Sequence, residues 1–394
     1  MCVAAVAALV AACSLLRPPA PRAAADAAGA KAPPAAAPTL PSPVATDRFE
    51  LKSPDDDVVG YVQRTTIGKD DTLSDIARRF DLGYGEVTLA NPGVDPWLPG
   101  VGRVVLVPTR FVLPDAPHVG VVINLAAMRI FYFPPHKRHE PQVVYTHPIG
   151  IGRVAWKTPE GSTRIIGRQK DPVWIVPKSI RAEHAKEGDV LPAVVKAGPD
   201  NPLGEYLFRL GWPSYLIHGT NKPYGVGMRV SHGCMHLYPE DIRQFFHLIP
   251  VGTKVTVVNQ PEVFGWHDGR LYAQVYEPLK DDKRDLGKVR RELLRKVMAE
   301  RPKTRRHEAV PQVDWDRLVA LARKPRGVPV SITSDGPGID SVIAGARLVE
   351  NVLPKGSNWN GVDELAISTK KFDELTGDRA HPSPPAAVTQ ASAP

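Results

Sequence analysis

The apolar positions along the chain change their period from segment to segment. Residues 1–13, MCVAAVAALVAAC, form a run of small apolar residues. It is too short to span a bilayer, which needs about 20, and is laid out like the core of an export signal. Residues 59–109 open with a strand-like stretch, VGYVQRT, then set Leu73, Ile76, Ala77 and Phe80 at helical spacing. Asp71 or Thr72 is placed to cap that helix. GYGEVTLAN predicts a second short helix and VGRVVLVPT a closing strand, a β-α-α-β order.

From residue 118 to about 260 the pattern becomes short alternating runs separated by Gly and Pro, such as GVVINLAAMRIFYF, QVVYTHPIGIG, SYLIHG and TKVTVVN. These predict many strands and a mainly β domain of sandwich or barrel type. The clear helix is PEDIRQFFHLI, with Ile242, Phe245, Phe246 and Ile249 on one face. Trp156, Trp174 and Trp212 read as core or groove wall, core being the more common fate of such residues. Beyond 261, GRLYAQVYEPL is strand-like, and Leu286, Val289, Leu293 and Val297 mark a basic amphipathic helix. DWDRLVALARK is a second helix, capped by Asp314.

Composition adds the connections. Residues 17–47 are almost entirely Ala and Pro and read as a semi-extended tether; HPSPPAAVTQASAP repeats that composition as a disordered tail. The resulting map is 1–13 signal or lipobox-like, 14–57 linker, 58–110 small βααβ module, 118–260 catalytic domain, 261–379 α-containing extension and 380–394 tail. The net charge is +8, with a basic excess over residues 288–307. Export argues against nucleic acid as its partner and for a solvated helix face, toward anionic wall polymer or membrane. VAAC before Ser14 resembles a lipobox, so two export routes stand: anchoring through a lipidated Cys13, or simple cleavage. After either, Cys234 is a thiol with no intramolecular partner, a liability in an oxidising compartment unless its reactivity is used.

The chemistry concentrates in YLIHGTNKPYGVGMRVSHGCMHLYPED, residues 215–241. Cys234 sits among His218, His232 and His236, with Tyr224 and Met228 between base and nucleophile. A metal site, a nucleophile with its base and a buried thiol are the three readings. The His-Cys-His alternation matches no common zinc spacing and offers too few thiolates for a structural site. A nucleophile needs only a neighbouring histidine to take the thiol proton. Gly233 allows a tight turn at Cys234, and a helix starting just after it would lend its field and free amides.

Residues 59–109, through DTLSDIARRF, LANPG and VLVP, resemble a LysM domain. The resemblance implies binding to peptidoglycan glycan strands through the loops holding Asp71, Thr72 and Asn91. Capping and turn chemistry would explain Asp71 and Asn91 equally. IHGT followed by SHGCMHL, with INLAAMRIFYFP, PIGIGRVAWKTPEG and PVWIVP, resembles the YkuD-type L,D-transpeptidase catalytic domain. The resemblance implies Cys234 as nucleophile and His218 as general base oriented by the Gly219 carbonyl. It also implies His232 as a second histidine lining the site, and Ser231 and Gly233 as shapers of the turn. His236 stands where relatives usually carry Arg, so a substrate-carboxylate contact there would be weaker and pH-dependent.

The implied reaction is attack on a peptidoglycan tetrapeptide stem, release of D-Ala and transfer of the acyl group from the thioester. The acceptor is an amine of another stem, giving a 3-3 cross-link, or a lysine of an outer-membrane lipoprotein. No cofactor or metal is required, and the location is the periplasm. Two further readings stand beside this one: a hydrolase in which water resolves the thioester, and a lapsed wall-binding protein.

Overall fold

The computed structural model describes residues 40–299 and 312–359, apart from 45, 54, 138, 356 and 358. The signal-like run with Cys13, the linker to residue 39, part of the basic run and the tail lie outside the described residues.

The small module has the expected order. Strand Gln63–Thr66 is followed by helix α1 (Leu73–Arg79), helix α2 (Tyr84–Ala90) and strand Val104–Val107, which pairs antiparallel with the first. Thr72 caps α1 in a capping box: its hydroxyl accepts from the Asp75 amide at 3.2 Å, and the Asp75 carboxylate accepts from the Thr72 amide at 2.8 Å. Leu73, Ile76, Ala77 and Phe80, the predicted stripe, are fully buried. VGYVQRT is not one strand. Gly60, at φ +77, breaks it, and Val58–Gly60 pairs instead with Arg110–Val112.

The catalytic region is built on one nine-stranded sheet. Its order is Arg48–Glu50, Val143–Pro148, Arg129–Phe133, Gly120–Asn124, Lys254–Val258, Gly161–Lys170, Tyr206–Leu210, Leu216–His218 and Met235–His236. The long strand Gly161–Lys170 serves both halves. Its first residues pair with Lys254–Val258 and its later ones with Tyr206–Leu210, with a register shift between Ile165 and Gly167. A strand that changes partners at a bulge is how one sheet turns a corner. The halves enclose a core of Val121, Ile123, Ile130, Phe208, Ile217, Met235 and Val255. Two helices belong to this region, α3 (Lys178–Lys186) and α4 (Pro239–Leu248); Ile242 and Phe245 of α4 join that core. The domain is thus mainly β, as expected, and sandwich-like by folding over rather than by stacking separate sheets.

Side chains alternate along a strand, so the residues between those positions face the other way. Val122, Phe131, Phe133 and Val144 pack into a second core with Ile67, Leu73, Ile76, Phe80, Val87 and Phe111 of the small module. The module therefore shares a core with the catalytic sheet. The linker also ends sooner than expected: Arg48–Glu50 is an edge strand and Leu51 is buried.

The extension forms a third layer. Strands Glu262–His267 and Arg270–Val275 pair, and α5 (Leu286–Ala299) and α6 (Trp315–Arg323) bury Leu294, Val297, Leu318 and Leu321 against them. Asp314 caps α6 by accepting from the Arg317 amide at 2.9 Å. Near its end, Arg347–Val349 adds a parallel strand to the small module's sheet.

Candidate active site

Leu216–His218 and Met235–His236 run parallel as neighbours, Ile217 opposite Met235 and His218 opposite His236. Residues two apart on a strand share a face. Cys234 is two before His236 and its thiol takes a hydrogen bond from the Leu216 backbone, continuing the register. Cys234 thus stands at the head of the strand whose His236 lies opposite His218.

His218 is buried. Its Nδ1 lies 2.6 Å from the Gly219 carbonyl, so Nδ1 carries the hydrogen and Nε2 keeps the lone pair. Burial, and then the neighbouring His236, push its pKa down to about 3, against the pull of the Gly219 and Leu203 carbonyls. The expected orienting carbonyl is present.

His236 behaves differently from the expectation. Its ring is buried, 6.1 Å from that of His218 and inclined by 28°. It hydrogen-bonds to the Gly225 carbonyl, and burial holds its pKa at about 4. Any Cβ at Gly150 would collide with this ring, so the glycine is what leaves room for it. Burial thus favours the neutral ring, which is turned into the fold toward the Gly225 carbonyl.

Cys234 is half-buried, with Sγ 3.7 Å from the Ser214 carbonyl. Burial pushes its pKa up, partly offset by the Leu216 backbone. The expected help from a helix N-terminus is absent. The strand Met235–His236 intervenes, and α4 starts only at Pro239. Resting thiol and resting imidazole are both neutral.

The turn is pinned from several sides. Ser231 Oγ donates to the Cys234 carbonyl at 2.5 Å and accepts from the Gly233 amide at 3.2 Å. Thr158 Oγ1 donates to the Gly233 carbonyl at 2.9 Å. Gly233 has φ +102, and a Cβ there would meet the Tyr215 ring at 3.0 Å. The loop from base to nucleophile is docked rather than solvated: Met228 is buried, Tyr224 is half-buried, and the Val226 and Gly227 carbonyls accept from the first amides of α2.

His232 is held by residues that sequence reasoning passed over. Arg153 Nη2 lies 2.6 Å from His232 Nε2 and 2.6 Å from Glu183 Oε1. Trp156 Nε1 donates to Glu183 Oε2 at 3.0 Å, and its ring meets His232 edge-on at 5.2 Å. Burial, then Arg153, lower the His232 pKa. With His232 committed to Arg153 and His236 to Gly225, the alternating histidines do not converge with Cys234 on a metal. Trp156, Trp174 and Trp212 are all half-buried; Trp212 packs against the catalytic core, while Trp156 borders His232. Glu183 sits on α3, whose sequence KSIRAEHAK gives no apolar stripe and buries only Ile180; PIGIGRVAWKTPEG carried the signal for Arg153 and Trp156.

In the small module, Asp71 is buried. It accepts from the Gly68 amide at 2.7 Å and from Asn351 Nδ2 at 2.7 Å, and pairs with Arg79 at 2.6 Å. Asn91 is buried too, bonded to Val87 and to both polar groups of Leu106. The capping-and-turn role accounts for both, and their buried polar groups are not presented to a glycan. Thr72 is half-buried, with Lys69, Asp70, Pro92 and Gly93 exposed around it.

The family model of the L,D-transpeptidase catalytic domain, YkuD, matches residues 118–257. The "Probable L,D-transpeptidase ErfK/SrfK" of Salmonella typhimurium is 38% identical over 270 residues, covering 68% of this chain and 84% of that one. The "Probable L,D-transpeptidase YbiS" of Escherichia coli K12 is 42% identical over 226 residues, 56% of this chain and 72% of its own. A solved L,D-transpeptidase from Mycobacterium smegmatis aligns with 40% of this chain and 64% of its own, at 19% identity and a TM-score of 0.26. The chain belongs to the L,D-transpeptidase family.

Proposed function

We propose that this enzyme is a peptidoglycan L,D-transpeptidase working in the periplasm, with Cys234 as nucleophile and His218 as general base. The observation that best supports the assignment is the placement of Cys234 immediately before the strand that pairs with the strand carrying His218, with the imidazole tautomer set by Gly219. Because both groups rest neutral, the proton leaves Sγ for Nε2 as sulfur attacks, rather than beforehand. The sulfur bonds to the carbonyl carbon of the third stem residue. The amide to D-Ala4 breaks, and His218 returns the proton to the departing amine. A second stem's amine then attacks the thioester, giving its proton to His218, and the thiol is restored.

We assign the stem-carboxylate contact to Arg153, the cation that touches both His232 and Glu183. The acceptor is the amine of another stem or a lipoprotein lysine. Export through residues 1–13, with or without a lipid on Cys13, fits a substrate outside the cytoplasm. Among the described residues no helix is long and apolar enough to cross a membrane. The module 58–110 serves as a LysM-type glycan contact through Thr72 and the exposed loop tips around it.

Incubation with purified tetrapeptide muropeptides, read by mass spectrometry, tests the reading. The expected product is a 3-3 dimer, with Cys234→Ala slower by on the order of 10³-fold or more and unable to form a carbapenem adduct. Tripeptide alone would mean hydrolysis, no change with folded protein would mean a lapsed domain, and an adduct on Cys234→Ala would unseat the nucleophile.

A further inference from the structure

Where the small module meets the catalytic sheet lies a polar cluster that the reaction does not use. Asp81 follows α1, His147 lies on strand Val143–Pro148, and Asp241 is in the first turn of α4. His147 and Asp241 are buried and Asp81 is nearly so. His147 Nδ1 is 3.0 Å from Asp81 Oδ1 and 3.4 Å from Asp241 Oδ1.

The hydrogen-bond chain behind the ring fixes its tautomer. Gln244 Nε2 donates to Asp47 Oδ2 at 2.8 Å, so Gln244 Oε1 is the atom facing His147 Nε2, at 2.7 Å. An amide oxygen only accepts, so Nε2 carries the hydrogen. In the neutral ring Nδ1 is then a lone pair, aimed at two carboxylate oxygens. Asp81 Oδ2 and Asp241 Oδ2 are buried, and among the described residues no donor other than the facing carboxyl reaches them. The surrounding cations are already committed: Arg129 forks onto Glu86 at 2.8 and 2.9 Å, and Arg78 onto Glu240 at 2.8 and 3.0 Å. Two buried carboxylates and an imidazole nitrogen converge, a grouping that a buried site tolerates poorly unless a further charge answers it. All three ligand atoms lie within 4.8 Å of one another.

We propose that Asp81, His147 and Asp241 bind a divalent transition-metal ion that staples the small module to the catalytic domain. One imidazole nitrogen and two carboxylates suit zinc or manganese, and the His147–Gln244–Asp47 chain is the outer support that metal-bound imidazoles usually have. The ion sits apart from Cys234 and takes no part in acyl transfer. Its role is cohesion, since each ligand comes from a different element.

The test uses the chelator-stripped full chain carrying Cys234→Ala, which removes the thiol as a competing ligand, titrated with Zn²⁺ and separately with Mn²⁺. One ion per chain should bind at this cluster and raise Tm by about 5 °C or more at saturating metal. Asp241→Asn and His147→Gln should each lose that ion. Asp268→Asn, in the half-exposed Asp56–His267–Asp268 cluster, should keep it. Binding that survives Asp241→Asn overturns the assignment. So does a parent chain whose Tm ignores both metals; if that Tm also rises on acidification from pH 7 to 5, a proton shared by the carboxyls fills the gap instead. The parent's metal response decides the matter even if the ligand variants fail to fold.

Discussion

Two stretches meet at His232, and they are held by different means. The catalytic turn, Ser231 to His236, belongs to the sheet. The backbones of Gly150 and His236 bond to each other in both directions, at 2.8 and 3.1 Å, and Leu237 donates to the His218 carbonyl at 2.9 Å. The excursion that carries α3 has almost no apolar anchor. Val173, Ile175, Val190 and Val194 are exposed, and its grip on the turn is the Glu183 carboxylate with Arg153 and Trp156. Chemistry that needs fixed geometry sits on the first, because a misplaced nucleophile or base is costly. A stretch held by polar contacts can adjust to a substrate without disturbing the thiol or its base.

The comparison breaks most directly at Gly233. Its φ of +102 is left-handed backbone, and the Tyr215 ring leaves no slack for a Cβ. Gly233→Ala should cost about 1–3 kcal/mol of stability, read by thermal melts. Acyl-enzyme formation should fall by roughly 100-fold, read by the rate of carbapenem adduct formation, because the turn re-aims Cys234. Near-normal acylation in a folded Gly233→Ala protein would mean that the turn is not the rigid partner.

Much of this site was legible in the sequence because glycines and histidines at fixed spacing carry local chemistry. Gly233 and Ser231 lie in the turn that holds Cys234, and the Gly219 carbonyl lies at His218 Nδ1. The α1 stripe and the face of α4 were legible because a 3.6-residue period survives in short helices. What escaped did so for physical reasons. α3 buries only Ile180, so it leaves no period to read. Met235–His236 is too short to show alternation, which hid the strand between Cys234 and α4. The fusion of the small module with the catalytic sheet was invisible because Val122, Phe131 and Phe133 announce burial without naming what covers them. Removing residues 59–109 would therefore strip one face of the catalytic sheet as well as a wall contact, so point changes at the exposed loop tips are the fair test of glycan binding.

A second contrast is acid sensitivity, which should reside in the sheet. His218 and His236 hold protons less readily in the fold, at about 3 and about 4, than at the ordinary 6.5. As pH falls below about 6.5 the unfolded chain takes up protons that the buried rings refuse. Their contribution is complete above that value and is lost as pH drops toward 4 and then 3. Each ring adds a slope of about 1.4 kcal/mol per pH unit at most in that window. His236→Phe, which keeps a buried ring and removes one titrating group, should lower the slope between pH 6 and 4.5 by up to about 1.4 kcal/mol per pH unit in denaturant melts. An unchanged slope would mean that other groups dominate acid unfolding.

The smallest effect should come from Glu183, and it is the most informative about the excursion. Glu183→Gln keeps the shape and can still hydrogen-bond Trp156 or Arg153, but it removes the charge that Arg153 answers. If α3 is held over the turn mainly by that carboxylate, the variant loosens the excursion and frees Arg153 without shifting Cys234 or His218. KM for tetrapeptide stems should then rise about three- to ten-fold, a partly exposed charge-assisted bond being worth roughly 1 kcal/mol, while kcat stays within about two-fold. Tm should move little, because α3 contributes few buried side chains. A matching fall in kcat would place Glu183 in the positioning of His232 and so in the rigid half of the site. A large drop in Tm would show that the excursion is as integral to the fold as the turn it touches.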